Sequence, residues 1–332
     1  MAIAHWPTGA LEGKVAALCT RPSADALEQA KAAFTDTVNA WSKVEILRFG
    51  PITQDHRYER LFYWPDPEGV GLRQVQEALA QREDNMTLPD ELATKSVALQ
   101  GLPALEYLLY GDGADVLTKD DRIVDGTEPL PKIDSQGAFR CGFALSIATN
   151  ISRIARNVVE GWREGTAYEK AFLGPALGSR LYHTPKEVTL DLFKSFASGI
   201  ELVRDEKLGK PLGARSEDTK PELAAFWRSG LTLANAAGNL EGVRILFVQG
   251  GFAQVVAQES PGAENSILFD LNHAIEVLRG IDQPFAAVVA DDILRAKIEA
   301  VRVALKSAAQ TAGDMISRGA GLSLGFNAID GD

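Results

Sequence analysis

The stretch VALQGLPALEYLLYG, Val97–Gly111, decides how this chain is read. Leu99, Leu102, Leu105, Leu108 and Leu109 recur at helical spacing, so one face of the segment is expected to be buried. Gly101 and Pro103 interrupt it. A proline inside a helix removes a backbone hydrogen bond and clashes with the carbonyl four residues earlier, here Leu99, at a cost of ~3 kcal/mol. The segment is therefore expected to kink or restart. In a restarted helix Pro103 falls in the first turn, where its missing N–H does no harm, and the free N–H groups there suit an anion. Three residues on, Glu106 is a carboxylate among apolar neighbours, and a buried acid needs a partner. The plainer reading assigns Gly101 and Pro103 to close helix packing and Glu106 to a structural pair with an arginine.

Outward from this segment the chain reads as one helix after another. A helix from Ser23 to Phe49 buries Leu27, Ala30, Phe34, Val38, Trp41 and Val44, and Gly50 and Pro51 end it. The following prolines and glycines, at Pro51, Pro65, Pro67, Gly69 and Gly71, exclude one continuous helix, so residues 51–76 are read as a long loop. In it Arg57, Arg60 and Arg73 alternate with His56, Tyr58, Phe62, Tyr63 and Trp64. Such a mix stacks guanidinium on rings and offers forks for carboxylate or phosphate; equally, the rings pin a loop and the arginines pair with nearby acids. A short helix reaches Arg82, and Thr87–Asp90 opens the approach to the central segment. Residues 111–136 are a polar connection. Phe143, Ile147, Ile151, Ile154, Val158 and Trp162 then mark a long amphipathic helix over Gly137–Trp162. Thr184-Pro185-Lys186-Glu187 is a capping box opening a helix to Leu208, and Thr219-Lys220-Pro221-Glu222 repeats the device. Further helices are expected over Asn265–Gly280 and Pro284–Arg318. No stretch reads as a strand, so the fold class is all-α.

The halves also echo each other. LPALEYLL at 102–109 aligns with NHAIEVLR at 272–279, and VEIL at 44–47 with VRIL at 243–246. The first half is longer by about the length of the arginine-rich loop. The expectation is a degenerate duplication of two packed helical bundles, residues 1–165 carrying the loop as an insertion and residues 166–332 without it.

Composition narrows function. The chain has 332 residues, 45% of them hydrophobic, and a formal charge of −11. That charge argues against sequence-independent nucleic-acid binding and against attraction of the whole chain to an anionic membrane. No apolar run reaches the roughly 18 residues of a transmembrane span. The opening MAIAHWPTGA lacks the features of a signal peptide and by itself reads as cytoplasmic. Cys19 and Cys141 are either buried thiols or one disulfide, buried thiols being the default. There is no His-Glu-x-x-His, Gly-x-Ser-x-Gly or phosphate-loop motif, so an enzyme is the lesser expectation. His273 and Glu276 stand at metal-ligand spacing, as do His56 and Glu59, but with 45 acids in the chain such pairs arise by chance and are weak metal candidates. AFWRSGLTLANAAGNLEG, 225–242, sets Arg228, Ser229, Asn235, Asn239 and Glu241 among small residues, a face whose polar groups are expected to be satisfied across a close helix contact.

Several strings together resemble the imelysin family: RFGP at 48–51, the arginines Arg57 and Arg60, WPD at 64–66, RQV at 73–75, WRS at 227–229, Asn239-Leu240, and the closing GFNAIDGD at 325–332. Gly101 and Glu106 match the family signature Gly-x-His-x-x-Glu, with Pro103 in place of the histidine. The resemblance implies an all-helical, two-domain protein, periplasmic or membrane-anchored facing the periplasm, and linked to iron acquisition. In an exported protein Cys19 and Cys141 become a plausible bridge between the N-terminal arm and a central helix. The implied role is a non-catalytic binding protein whose site, between the bundles, comprises Gly101, Pro103, Glu106, Arg57, Arg60, Arg228 and Ser229, with Arg228 as a candidate partner of Glu106. Loss of the histidine with retention of the arginines points to an anionic ligand, such as iron in a metal chelate, or to a cell-envelope protein partner. The alternatives are a metallopeptidase, the older family label, and a structural interaction module.

Overall fold

The computed structural model describes residues 7–119 and 135–322. Among these residues every regular element is a helix and none is a strand, which is the all-α class the apolar spacing predicts. Contacts group the chain into two compact units, one of residues 1–38 and 51–160, the other of residues 39–50 and 161–332.

The first unit holds α1 (Thr8–Thr20), most of α2 (Ala24–Val44), α3 (Arg57–Leu61), α4 (Val70–Gln81), α5 (Pro89–Leu92), α6 (Leu102–Tyr110) and nearly all of α7 (Gln136–Gly161). On α2 the buried strip is Leu27, Ala30, Phe34, Val38 and Trp41, and it continues through Glu45 instead of the expected Val44. On α7 Phe143, Ile147, Ile151, Ile154 and Val158 are buried as their spacing predicts. The long, ordered loop expected at 51–76 is in large part helical. A 3₁₀ turn (Gly50–His56) and α3 occupy its first half. After the cis Trp64–Pro65 bond, Asp66 accepts from the Val70 and Gly71 amides at 2.8 Å each and so starts α4.

Cys19 of α1 and Cys141 of α7 form a disulfide, with Cα atoms 5.5 Å apart, so the default of buried thiols is overturned. Their separation of 122 residues hides the pairing from any local pattern. The middle of the polar connection, 120–134, and the closing GFNAIDGD lie outside the described residues.

The second unit holds α8 (Ala167–Leu173), α9 (Pro185–Glu201), a π-helical stretch (Leu202–Gly209), α10 (Lys210–Leu212), α11 (Thr232–Gln249), α12 (Phe252–Glu259), α13 (Ala263–Arg279), α14 (Phe285–Ala290) and α15 (Asp292–Gly319). The first capping box forms: Thr184 Oγ1 accepts from the Glu187 amide, and Glu187 accepts from the His183 amide at 2.9 Å. The second does not. Thr219 donates its hydroxyl to the Leu212 carbonyl at 3.1 Å, so only a 3₁₀ turn, Pro221–Leu223, follows, and the next α-helix waits until Thr232. The helix expected over 284–318 is broken at Asp291, whose carboxylate accepts from the Ile293 and Leu294 amides and begins α15 anew. Close packing of α11 on the end of α2 depends on glycine: a Cβ on Gly242 would sit 2.2 Å from the Lys43 carbonyl oxygen.

Candidate functional site

The central segment restarts as its sequence predicts. A 3₁₀ turn over Val97–Leu99 gives way to α6, with Gly101 as the N-terminal cap and Pro103 in the first turn. Gly101 also permits a backbone contact, because a Cβ there would stand 2.4 Å from the Leu61 carbonyl oxygen and 2.9 Å from that of Arg60. The positive end of α6 therefore abuts carbonyl oxygens of α3. The other end is held by Arg140, which is buried and donates to the carbonyls of Leu108, Asp112 and Tyr107 at 2.8 Å each while lying over the Tyr107 ring. A cation at a helix C-terminus is favourable, and here it fixes the helix from behind. Burial lowers its pKa from the ordinary arginine value, with Tyr107, Asp115 and Asp112 opposing.

Between these anchors Glu106 is only 3% exposed. It shares a helix face with Tyr110, whose hydroxyl donates to the Lys31 carbonyl at 3.3 Å. Burial first, with the nearby charge of Glu106 contributing, pushes the Tyr110 phenol up to about 12.

Arg60 occupies the end of α3 beside Gly101. Its Nε donates to Gln100 Oε1 at 2.8 Å and its Nη2 to Asn150 Oδ1 at 3.1 Å, while Asn150 Nδ2 also donates to Gln100 Oε1. Gln100 is aimed by its own bond to the Lys95 carbonyl at 2.6 Å. The guanidinium, half-buried, thus leans on two neutral amide oxygens, and among the described residues no carboxylate pairs with it. Burial lowers the Arg60 pKa, Asp55 opposes and Arg57 adds to the lowering, yet an arginine keeps its charge. Arg57 behaves otherwise. It is spent within its own turn on the Pro51 carbonyl, Gln54 and Asp55.

The second unit contains a polar cluster that the sequence reading only half identified. Ser42, Glu45, Lys207, Asn235 and Asn239 are all fully buried. Lys207, in the π-helical stretch, donates to Glu45 Oε2 at 2.7 Å and to Asn235 Oδ1. Asn235 and Asn239 donate to Ser42 Oγ and the Ser42 carbonyl respectively, at 2.7 Å, and both reach Glu45 Oε2. Burial draws the Lys207 ammonium down to about 8 against the attraction of Glu45, with Arg48 adding to the lowering. Glu45 Oε1 and Asn239 Oδ1 meet no donor among the described residues. The asparagines are satisfied across a small-residue helix contact, as expected. Glu45 and Lys207 went unnoticed, although each continues an apolar strip: Glu45 after Val38 and Trp41, Lys207 after Ile200 and Val203.

Arg228 lies over the Trp227 ring, 4.3 Å from its centroid, and Ser229 donates to the Phe226 carbonyl at 3.2 Å. His273 and Glu276 are exposed on α13, where His273 stacks on Phe269. In the proposed echo of the two halves, then, a buried Glu106 aligns in sequence with an exposed Glu276.

Residues 2–312 match the family model described as Imelysin. The chain belongs to the imelysin family. It is 22% identical over 225 residues to Iron-regulated protein A of Synechococcus elongatus, a match covering 67% of this chain and 52% of the relative, so it spans about half that relative's length. An imelysin-like protein from Psychrobacter arcticum 273-4, known from its crystal structure, shares the fold with a TM-score of 0.75 at 16% identity, over 98% of this chain and 92% of the other. Within the imelysin signature the histidine would place an imidazole one helical turn before Glu106; Pro103 places none. Among the described residues no three of His, Cys, Asp and Glu come together as a metal-holding group.

Proposed function

We propose that this imelysin-family chain is a non-catalytic, extracytoplasmic binding protein with a role in iron acquisition, and that it takes an anionic ligand at Arg60. The observation that carries the reading is the state of Arg60: a half-buried guanidinium held in place by Gln100 and Asn150 with no acid paired to it among the described residues. A planar cation fixed by neutral groups keeps its charge for an incoming carboxylate or phosphate. Gly101 and Pro103 bring α6 against α3 so that Glu106 and Arg60 lie on adjoining elements; Arg57 stiffens the turn before Arg60. Arg228 and Ser229 remain assigned to the ligand on family resemblance. The disulfide supports export to an oxidising compartment such as the periplasm, and the iron link rests on the name of the Synechococcus relative. No single helix among the described residues is long and apolar enough to cross a membrane.

Protein purified without chelator is tested by thermal unfolding against ferric citrate, citrate, phosphate and zinc chloride. The expected result is a higher unfolding temperature with one of the anions and none with zinc; ligand at 100 times its Kd stabilises by about 2.7 kcal/mol. Chelator-sensitive cleavage of an unstructured protein would replace this reading with a metallopeptidase. A flat response throughout would replace it with an interaction module.

A further inference from the structure

We propose that the loop joining α8 to α9 is a docking tip for an anionic lipid surface. In LGPALGSRL, 173–181, Leu173 and Leu177 are 73% and 86% exposed, and Leu181 is exposed as well. These leucines are not splayed from a slack segment. The Ala176 amide donates to the Tyr182 carbonyl, the Ser179 amide to the Ala176 carbonyl at 2.8 Å, and Ser179 Oγ accepts from the Leu181 and Tyr182 amides. Beneath them Tyr182 is buried against Ala171, Val188, Phe172 and Leu192, with its hydroxyl on Asp191 at 2.8 Å. The loop is thus held by its own bonds on an aromatic bed, and that bed leaves the leucines outside.

Charge identifies the occupant. The chain carries −11 overall, yet from Lys170 to Lys186 there are three cations, Lys170, Arg180 and Lys186, and no acid. All three are exposed, and none forms an ion pair among the described residues. Leucines at the tip with cations around them match a headgroup layer over an acyl boundary, where each cation near the surface strengthens partition by about fivefold. Apart from Arg180, the residues between the leucines, Gly174, Pro175, Ala176, Gly178 and Ser179, are small. Exposed leucines spaced by small residues suit insertion into a fluid better than a flat protein interface of about 800 Å² per partner. The whole-chain charge still disfavours attachment through any other face. This proposal is independent of the Arg60 site.

The test is co-sedimentation of the full chain with phosphatidylcholine vesicles, with and without phosphatidylglycerol. The expected result is binding only to the anionic vesicles, weakened by salt, and lowered about tenfold or more both in Leu173→Ser/Leu177→Ser and in Arg180→Glu/Lys186→Glu, with unchanged unfolding temperature. Leu177→Trp should show a blue shift of emission on the same vesicles. Absence of wild-type binding, or full binding by the leucine pair variant, overturns the proposal. So does a dimer in sedimentation equilibrium that the leucine variant dissolves while vesicles are ignored, which would assign the tip to a second copy.

Discussion

Arg60 and Lys207 are both cations drawn into the protein, and their surroundings differ in the one respect that decides their roles. Lys207 is fully buried and has Glu45 at 2.7 Å. Arg60 is only partly buried and has only amide oxygens. A buried pair of opposite charges is already complete, and each partner is costly to leave alone. A cation propped by neutral groups is incomplete in charge and reachable from solvent. The first arrangement locks a fold; the second suits a ligand.

The largest effect is expected where the comparison is sharpest. Lys207→Met should cost about 3–5 kcal/mol in denaturant unfolding by stranding the Glu45 carboxylate, and adding Glu45→Leu should restore most of it, since a packed apolar pair is often neutral or stabilising. A double variant no more stable than the single one would mean that the asparagine network, and not the ion pair, dominates the second unit. Gly101→Ala should cost about 1–3 kcal/mol, because the added Cβ meets the Leu61 carbonyl 2.4 Å away and forces α6 from α3. An alanine variant of unchanged stability would show that this contact is slack.

The two units should also answer alkaline pH with opposite signs. Lys207 has a folded pKa near 8, below the ordinary 10.5, so between those values the unfolded chain holds the proton more tightly and stability from this group rises with pH. Tyr110 has a folded pKa of about 12, above the ordinary 10, so its contribution is complete below pH 10 and is lost as pH climbs towards 12. Denaturant midpoints from pH 8 to 10.5 should therefore rise less in Lys207→Met than in wild type; equal slopes would count against the burial argument. The smallest expected effect is on the tyrosine itself. Glu106→Gln removes a neighbouring negative charge and should lower the Tyr110 titration followed by tyrosinate absorbance, whereas an unmoved curve would separate Glu106 electrically from Tyr110.

Much of α6 was legible because Gly101 and Pro103 act locally: a proline inside a helical pattern forces a kink or a restart whatever surrounds it. The polar face of α11 was legible for a similar reason, since small residues announce a close neighbour. Glu45 and Lys207 were not, because a charged residue in a helical strip reads as surface until its partner, 162 positions away, is known. The Thr219 box misled because Pro221 and Glu222 satisfy the pattern while Leu212, seven residues upstream, takes the hydroxyl. Arg57 and Arg60 look equivalent in sequence. Only the fold shows that one is spent on its own turn and the other is held out by Gln100 and Asn150.

The central claim is that Arg60 is kept for an anion, and calorimetric titration of ferric citrate and citrate into wild type and Arg60→Met tests it most directly. The account predicts saturable binding by wild type, its loss in Arg60→Met, and an unfolding temperature for that variant within a few degrees of wild type. Undiminished binding by Arg60→Met would contradict it.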